Sequence, residues 1–220
     1  MRKALKLLQR HLGLSVFRLL ERPLEQRPAA AADGVRFAEL GEEDLLGHCA
    51  DPALELSGAS ARGAFARGDR CVGALEDGKL LGYAWFAFTP TPESGGMWID
   101  FGADAAYSYR HFVRPDCRGR RIAGRLLPAA DSLCAAQGRK RCLILIHEHN
   151  VSSIRASERS GARTVGHAVC LTLFGWLLCW RSPGTKRHGL RFFRPQSNLR
   201  PLSAAMRRLA SILAATDLRN

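Results

Sequence analysis

Between Val113 and Leu127 the chain reads Val-Arg-Pro-Asp-Cys-Arg-Gly-Arg-Arg-Ile-Ala-Gly-Arg-Leu-Leu, where an apolar strand runs into an Arg/Gly-rich turn and at once into a helical pattern. The preceding run from Ala106 to Val113 alternates and is rich in aromatic and β-branched side chains, which predicts a strand; Pro115, with no N–H to give, ends it. A helix therefore begins near the arginines. Its first N–H groups lack intrahelical partners and carry the positive end of the helix dipole. Gly119 lets an anion approach the main chain, and Arg118, Arg120, Arg121 and Arg125 add charge. A pyrophosphate is the natural guest of such a turn, although an Arg-rich turn also occurs as plain solvated surface.

Downstream, Cys142 to Ile146 is a continuous apolar run that predicts a buried strand, followed by Asn150-Val151-Ser152-Ser153 and a polar helical stretch that reaches Gly161. In this order the two segments resemble the GNAT superfamily of N-acyltransferases. That superfamily binds acyl-CoA through Gln/Arg-x-x-Gly-x-Gly/Ala and follows a later strand with Asn-x-x-Ala/Ser, a helix, often Tyr, and then Gly-Phe. Arg118 and Ala123 match the ends of the first pattern, with Arg121 in place of its middle glycine. Asn150, Ser153 and Gly161 match the second, with Ser157 where the tyrosine often stands and Ala162 where an aromatic does.

The resemblance covers roughly Val35 to Trp180. It implies an α/β (α+β) fold: a mixed sheet with helices on both faces, splayed open between the strand ending at Val113 and the strand ending near Ile146. It also implies that acetyl-CoA, or another acyl-CoA, is the co-substrate. The pantetheine arm would lie along main-chain groups near Val113 and Arg114, and the pyrophosphate in the turn of Arg118, Gly119, Arg120, Arg121, Ile122, Ala123 and Gly124, with Asn150 and Ser153 at the second strand. Because Arg121 carries a Cβ and takes φ > 0 only at a cost, a backbone angle near the helical region is expected there.

Acyl transfer to an amine needs a base, an oxyanion stabiliser and a route for the proton to leave. Glu148 is the expected base, acting directly or through water, with His147 and His149 as competitors because imidazole titrates near neutrality. Ser157 is a weak general acid, since a serine hydroxyl is shorter and far less acidic than a phenol. Tyr107 and Tyr109 are read as sharing a strand face with Val113, as acceptor-pocket wall or as core. His147 and His149 have no third and fourth ligand nearby in the sequence, so no metal is expected. The reading is an acetyltransferase acting on an amine. The alternatives are a membrane-surface acyltransferase modifying a lipid-, sugar- or carrier-linked amine, and a non-catalytic CoA-binding module. Nucleic acid is an unfavoured partner, because the basic flanks lack interleaved aromatics beyond Phe192 and Phe193.

The net charge of +13 is confined to the ends: residues 1–28 carry seven Lys/Arg against two acids, residues 181–220 carry nine against one, and the rest balances. Three regions follow: a basic N-terminal extension (1–28), the acyltransferase domain (29–180) and a basic helical C-terminal extension (181–220). Leu5, Leu8, Leu12, Val16 and Leu19 fall at helical spacing among basic residues, which predicts a basic amphipathic helix over Met1–Leu20. Cationic ends around a neutral domain suit an anionic surface, so a cytoplasmic protein peripheral at the inner membrane surface is expected. The seven cysteines are scattered without a Cys-x-x-Cys pair; no disulfide is expected and a reducing compartment is the simpler reading. The Asp77-Gly78 pair predicts a hairpin between Cys71–Leu75 and Leu80–Phe86, and Thr89–Gly96 a loop. Two final strands are expected over Thr164–Trp180.

Overall fold

The computed structural model describes residues 13–24, 34–173 and 176–195. In chain order it contains β1 (Leu14–Pro23), β2 (Arg36–Leu40), α1 (Glu42–Gly47), α2 (Gly58–Ala66), β3 (Arg70–Glu76), β4 (Lys79–Ala87), β5 (Thr91–Pro92), β6 (Trp98–Asp100), β7 (Ala105–Val113), α3 (Ile122–Ala129), α4 (Asp131–Ala136), β8 (Arg141–His147), α5 (Val151–Arg159), β9 (Arg163–Leu173), β10 (Trp176–Arg181), α6 (Pro183–Arg187) and β11 (Arg191–Phe193). Eight strands form one sheet in the order β10-β9-β1-β8-β7-β4-β3-β2, and β11-β6-β5 form a second, small sheet. This is the mixed sheet with flanking helices that the resemblance implies.

The expected N-terminal helix is a strand over its described part. β1 pairs antiparallel with β8 on one edge (Phe17↔His147, Leu19↔Leu145) and with β9 on the other. Its side chains are needed on both faces: Leu20 joins the core beneath α3 and α5, while Phe17 and Leu19 join the core of the opposite face. A strand covered on both faces shows no clean alternation. Residues 1–12 of the expected helix lie outside the described residues. The C-terminal extension is likewise drawn into the fold, since β11 pairs with β6 (Phe192↔Ile99) and Thr185 of α6 is fully buried.

Arg22 of β1 is 4% exposed and Asp131 of α4 is 1% exposed. The Arg22 guanidinium donates to Asp131 Oδ2 at 2.9 Å and to the Leu127 carbonyl at 3.2 Å, with a further contact to Asp131 Oδ1. The buried pair fastens β1 to the C-terminal end of α3. Pro128 lies inside the last turn of α3, where it gives no N–H to the helix, and Ala130 separates α3 from α4.

The hairpin is as predicted: Asp77 (φ 48°) and Gly78 (φ 76°) both take the left-handed conformation that joins β3 to β4. The Thr89–Gly96 segment is more ordered than a loop, because Thr91 pairs with Ile99. Cys170 and Cys179 face each other across β9 and β10, 4.2 Å apart at Cα, and form a disulfide, contrary to expectation. Register brings them together; their spacing along the chain carries no such signal.

β7 and β8 are parallel partners only from Ala105↔Arg141 to Ser108↔Ile144. Beyond Ser108 they part. β8 continues on β1, while β7 continues on β4 through an irregularity at Arg110, whose φ of 51° marks an inserted residue. That residue changes which face later side chains occupy. Val113 packs with the α3 side of the sheet, whereas Tyr107 and Tyr109 pack on the opposite side, so the expected shared face of Tyr107, Tyr109 and Val113 is not formed. Tyr107 is fully buried and donates to Glu93 Oε2 at 3.0 Å; Tyr109 donates to Asp69 Oδ2 at 2.6 Å.

Candidate active site

The turn after β7 forms a cleft of about 890 Å³. Val113, Arg118, Gly119, Arg121, Ile122, Ala123 and Gly124 line it, all of them expected from the sequence, together with Cys117, Arg125, Ala156 and Arg159. Gly119 has φ 87°, and nothing stands within 4 Å of where a Cβ would be. Arg121 takes the left-handed conformation (φ 59°, ψ 16°) rather than the near-helical one expected, at a cost of about 1–2 kcal/mol for a residue with a Cβ.

Arg121 is also the N-cap of α3, and it makes no side-chain capping hydrogen bond to the first turn of that helix. The leading N–H groups of α3 are thus left to whatever occupies the cleft. Four guanidinium groups (Arg118, Arg121, Arg125 and Arg159) and no carboxylate line the walls. Arg118, Arg121 and Arg159 are exposed and their guanidinium groups have no ion-pair or hydrogen-bond partner among the described residues, whereas Arg125 lies over the Phe37 ring at 4.7 Å.

Two expected ligands are spent elsewhere. Arg120 is held by Glu76 through two contacts, one of 2.9 Å. Arg114 is 8% exposed and is gripped by Asp116, at 3.1 and 3.2 Å, and by Asp51. The main-chain N–H of Arg114 donates to the Leu81 carbonyl at 2.9 Å. Because N–H and C=O groups alternate sides along a strand, the main-chain groups of Val113 then face the gap opened toward β8.

The second motif builds a helix start of the opposite kind. Asn150 Oδ1 accepts from the Ser153 N–H at 3.3 Å and from the Ser152 hydroxyl at 3.0 Å, so Asn150 caps α5 itself. Neither Asn150 nor Ser153 lines the cleft. α5 instead contributes Ala156 and Arg159, spaced i, i+3 on one face. Arg159 escaped the sequence reading; its only signal was that spacing. Ser157 shares the buried face of α5 with Ile154 and is 2% exposed.

Glu148 is bound by Arg18, with Arg18 Nε donating to Glu148 Oε2 at 3.1 Å and a second contact to Oε1; His167 Nδ1 stands 3.7 Å from Oε2. The Arg18 guanidinium holds the Glu148 carboxyl below its ordinary range. A carboxylate so stabilised is a poorer base. Beside it, His147 ends β8 and pairs with Phe17 of β1. The His147 ring stacks on His149 with centroids 5.3 Å apart, and the Nδ1 atoms of both rings are buried without a hydrogen-bond partner among the described residues. Burial, and secondarily the neighbouring His149, pushes the His147 pKa down.

Comparison with known proteins places this arrangement in a family. The acetyltransferase (GNAT) family model matches residues 37–162. A GNAT-family protein from Novosphingobium aromaticivorans has a similar fold, with a TM-score of 0.51 at 23% identity over 77% of this chain; the match spans 66% of that protein's length. A ribosomal-protein-alanine N-acetyltransferase from Brucella melitensis aligns with 59% of this chain and 92% of its own at 20% identity, with a TM-score of 0.45. No curated protein matches the chain. None of the helices among the described residues is long and apolar enough to cross a membrane.

Proposed function

Since the chain belongs to the GNAT acetyltransferase family, we propose that it transfers the acetyl group of acetyl-CoA to an amine, with the co-substrate's pyrophosphate at the start of α3. The observation that carries this reading is the uncapped N-terminus of an eight-residue helix facing a cleft with four guanidinium groups and no acid. The residues fit the group: the α3 N–H groups, Arg118, Arg121 and Arg159 hold its phosphates, and the Val113 main chain lines the gap for its pantetheine arm. When bound, acetyl-CoA supplies an acyl group activated as a thioester. The main chain of Val113 would orient the thioester in the gap between β7 and β8, with its N–H as the donor available to the carbonyl.

His147 takes over from Glu148 the role of base. It is neutral near pH 7, sits on the strand that borders the gap and is only half-buried, so its imidazole can accept the proton of the attacking amine, directly or through water. Glu148, paired with Arg18, becomes a positioning residue for the end of β8. The leaving thiolate takes its proton from water, since Ser157 is too weak an acid at neutral pH.

A thiol-release assay with acetyl-CoA against a panel of small amines tests the reading. His147→Asn is expected to lower turnover about a hundredfold and Glu148→Gln by less. With His147 as base, the acid limb of the pH profile falls below the ordinary histidine value of about 6.5, because activity is lost only when pH drops through the depressed pKa. CoA binding without turnover on any amine would assign a CoA-binding module instead.

A further inference from the structure

At the other end of β7 a second cleft, of about 620 Å³, lies between the β4 and β6 ends and the α6–β11 segment. Its charged lining is Arg139, Arg181, Lys186, Arg191 and one acid, Asp100. Asp100 is taken by Arg191 in an ion pair. Three cations therefore remain without a carboxylate among the described residues, and two of them are held by neutral acceptors. Arg139 donates to the Phe88 carbonyl at 3.1 Å and to the Ala103 carbonyl, and lies over the Phe88 ring at 5.5 Å. Arg181 donates to the Leu190 carbonyl at 2.9 Å.

Carbonyl partners fix a guanidinium in place without neutralising it. The charge is thus pre-organised and unspent, the condition under which an incoming anion gains most. Arg139 Nε is buried with no hydrogen-bond partner among the described residues. Lys186 is exposed, and its ammonium makes no hydrogen bond or ion pair among the described residues. The apolar wall is Phe88, Pro90 and Phe101. The C-terminal segment, whose charge excess is plain in the sequence, supplies Arg181, Lys186 and Arg191, so part of that excess is gathered at one concave place.

We propose that this second cleft binds a phosphate-bearing anion, a phosphomonoester or diphosphate group whose organic body rests on Phe88 and Phe101. A single carboxylate would leave most of the excess charge uncompensated, whereas a di- or trivalent phosphate matches it. The concave volume is that of a small-ligand site rather than a flat docking face. The site lies at the opposite end of β7 from the acetyl-CoA cleft, so the proposal does not depend on that assignment.

The test uses inorganic pyrophosphate as probe, titrated calorimetrically into the full chain and into the Arg118→Ala/Arg121→Ala variant, in which the first cleft is disabled. In that background pyrophosphate binding is expected to persist, and adding Lys186→Glu is expected to weaken it at least about tenfold with an unchanged melting temperature. Arg191→Ala provides a second variant with the same expectation. Vesicle sedimentation separates the sources of phosphate. Binding to phosphatidic acid but not phosphatidylcholine vesicles, lost in Lys186→Glu, assigns a lipid headgroup; loss of pyrophosphate binding with vesicle binding absent or unchanged assigns a soluble phosphate ester. Absence of pyrophosphate binding in the disabled-cleft background, or equal affinity with and without Lys186→Glu, overturns the proposal.

Discussion

α3 and α5 both start just after a strand, on the same face of the sheet, and each carries one of the two sequence motifs, yet their first turns are completed in opposite ways. α5 is closed by its own Asn150, whose side chain accepts from the Ser153 N–H. α3 starts from Arg121, which has no acceptor to offer and stands in a left-handed conformation that a glycine would adopt more readily. A capped start is a structural device. An uncapped start beside Arg118, Arg121 and Arg159, whose guanidinium groups have no carboxylate partner among the described residues, is what the proposed function assigns to an anion. Family motifs of the same rank can thus hold a helix in one case and a ligand in the other.

The largest effect that could break this comparison is on what anchors α3. Asp131→Ala removes the carboxylate that faces the buried Arg22 guanidinium and is expected to cost about 3–5 kcal/mol of stability in urea unfolding. On binding, Arg118→Ala/Arg121→Ala is expected to weaken CoA on the order of a hundredfold in calorimetry, while Arg120→Ala, already committed to Glu76, stays within about threefold of wild type. A large loss in Arg120→Ala would mean that the Glu76 pair opens for the ligand. Arg121→Gly alone sharpens the contrast, because its two readouts move oppositely: stability rises by up to about 1 kcal/mol as strain is relieved, and CoA affinity falls about tenfold as a charge is lost. The smallest effect is at α5, where Asn150→Ala costs about 1 kcal/mol of stability by uncapping the helix and leaves CoA affinity nearly unchanged.

The parts of this molecule that could be read from sequence are those whose causes are local. Pro115, Gly119 and the arginines mark the end of β7 and the start of α3 within a few residues, and Asp77-Gly78 marks its hairpin. β1 was not legible, because Leu14–Pro23 is buried on both faces and shows no alternation, while its leucines continue a helical spacing that begins upstream. The fate of individual arginines was hidden for another reason. Arg120 meets Glu76 and Arg114 meets Asp51 across folded distance, at sequence separations of 44 and 63. Arg18 and Glu148 are 130 residues apart, and that pairing is why His147 rather than Glu148 is proposed as the base. The disulfide between Cys170 and Cys179 follows from the register of β9 on β10, which tertiary packing sets.

The central claim, that the open start of α3 is where acyl-CoA is held, is tested most directly by a crystal structure of the full chain with CoA. The account predicts the pyrophosphate within hydrogen-bond distance of the leading N–H groups of α3, with Arg118 and Arg121 turned onto it and Arg120 still on Glu76. CoA bound elsewhere, or the α3 N–H groups facing only solvent in the complex, would contradict it.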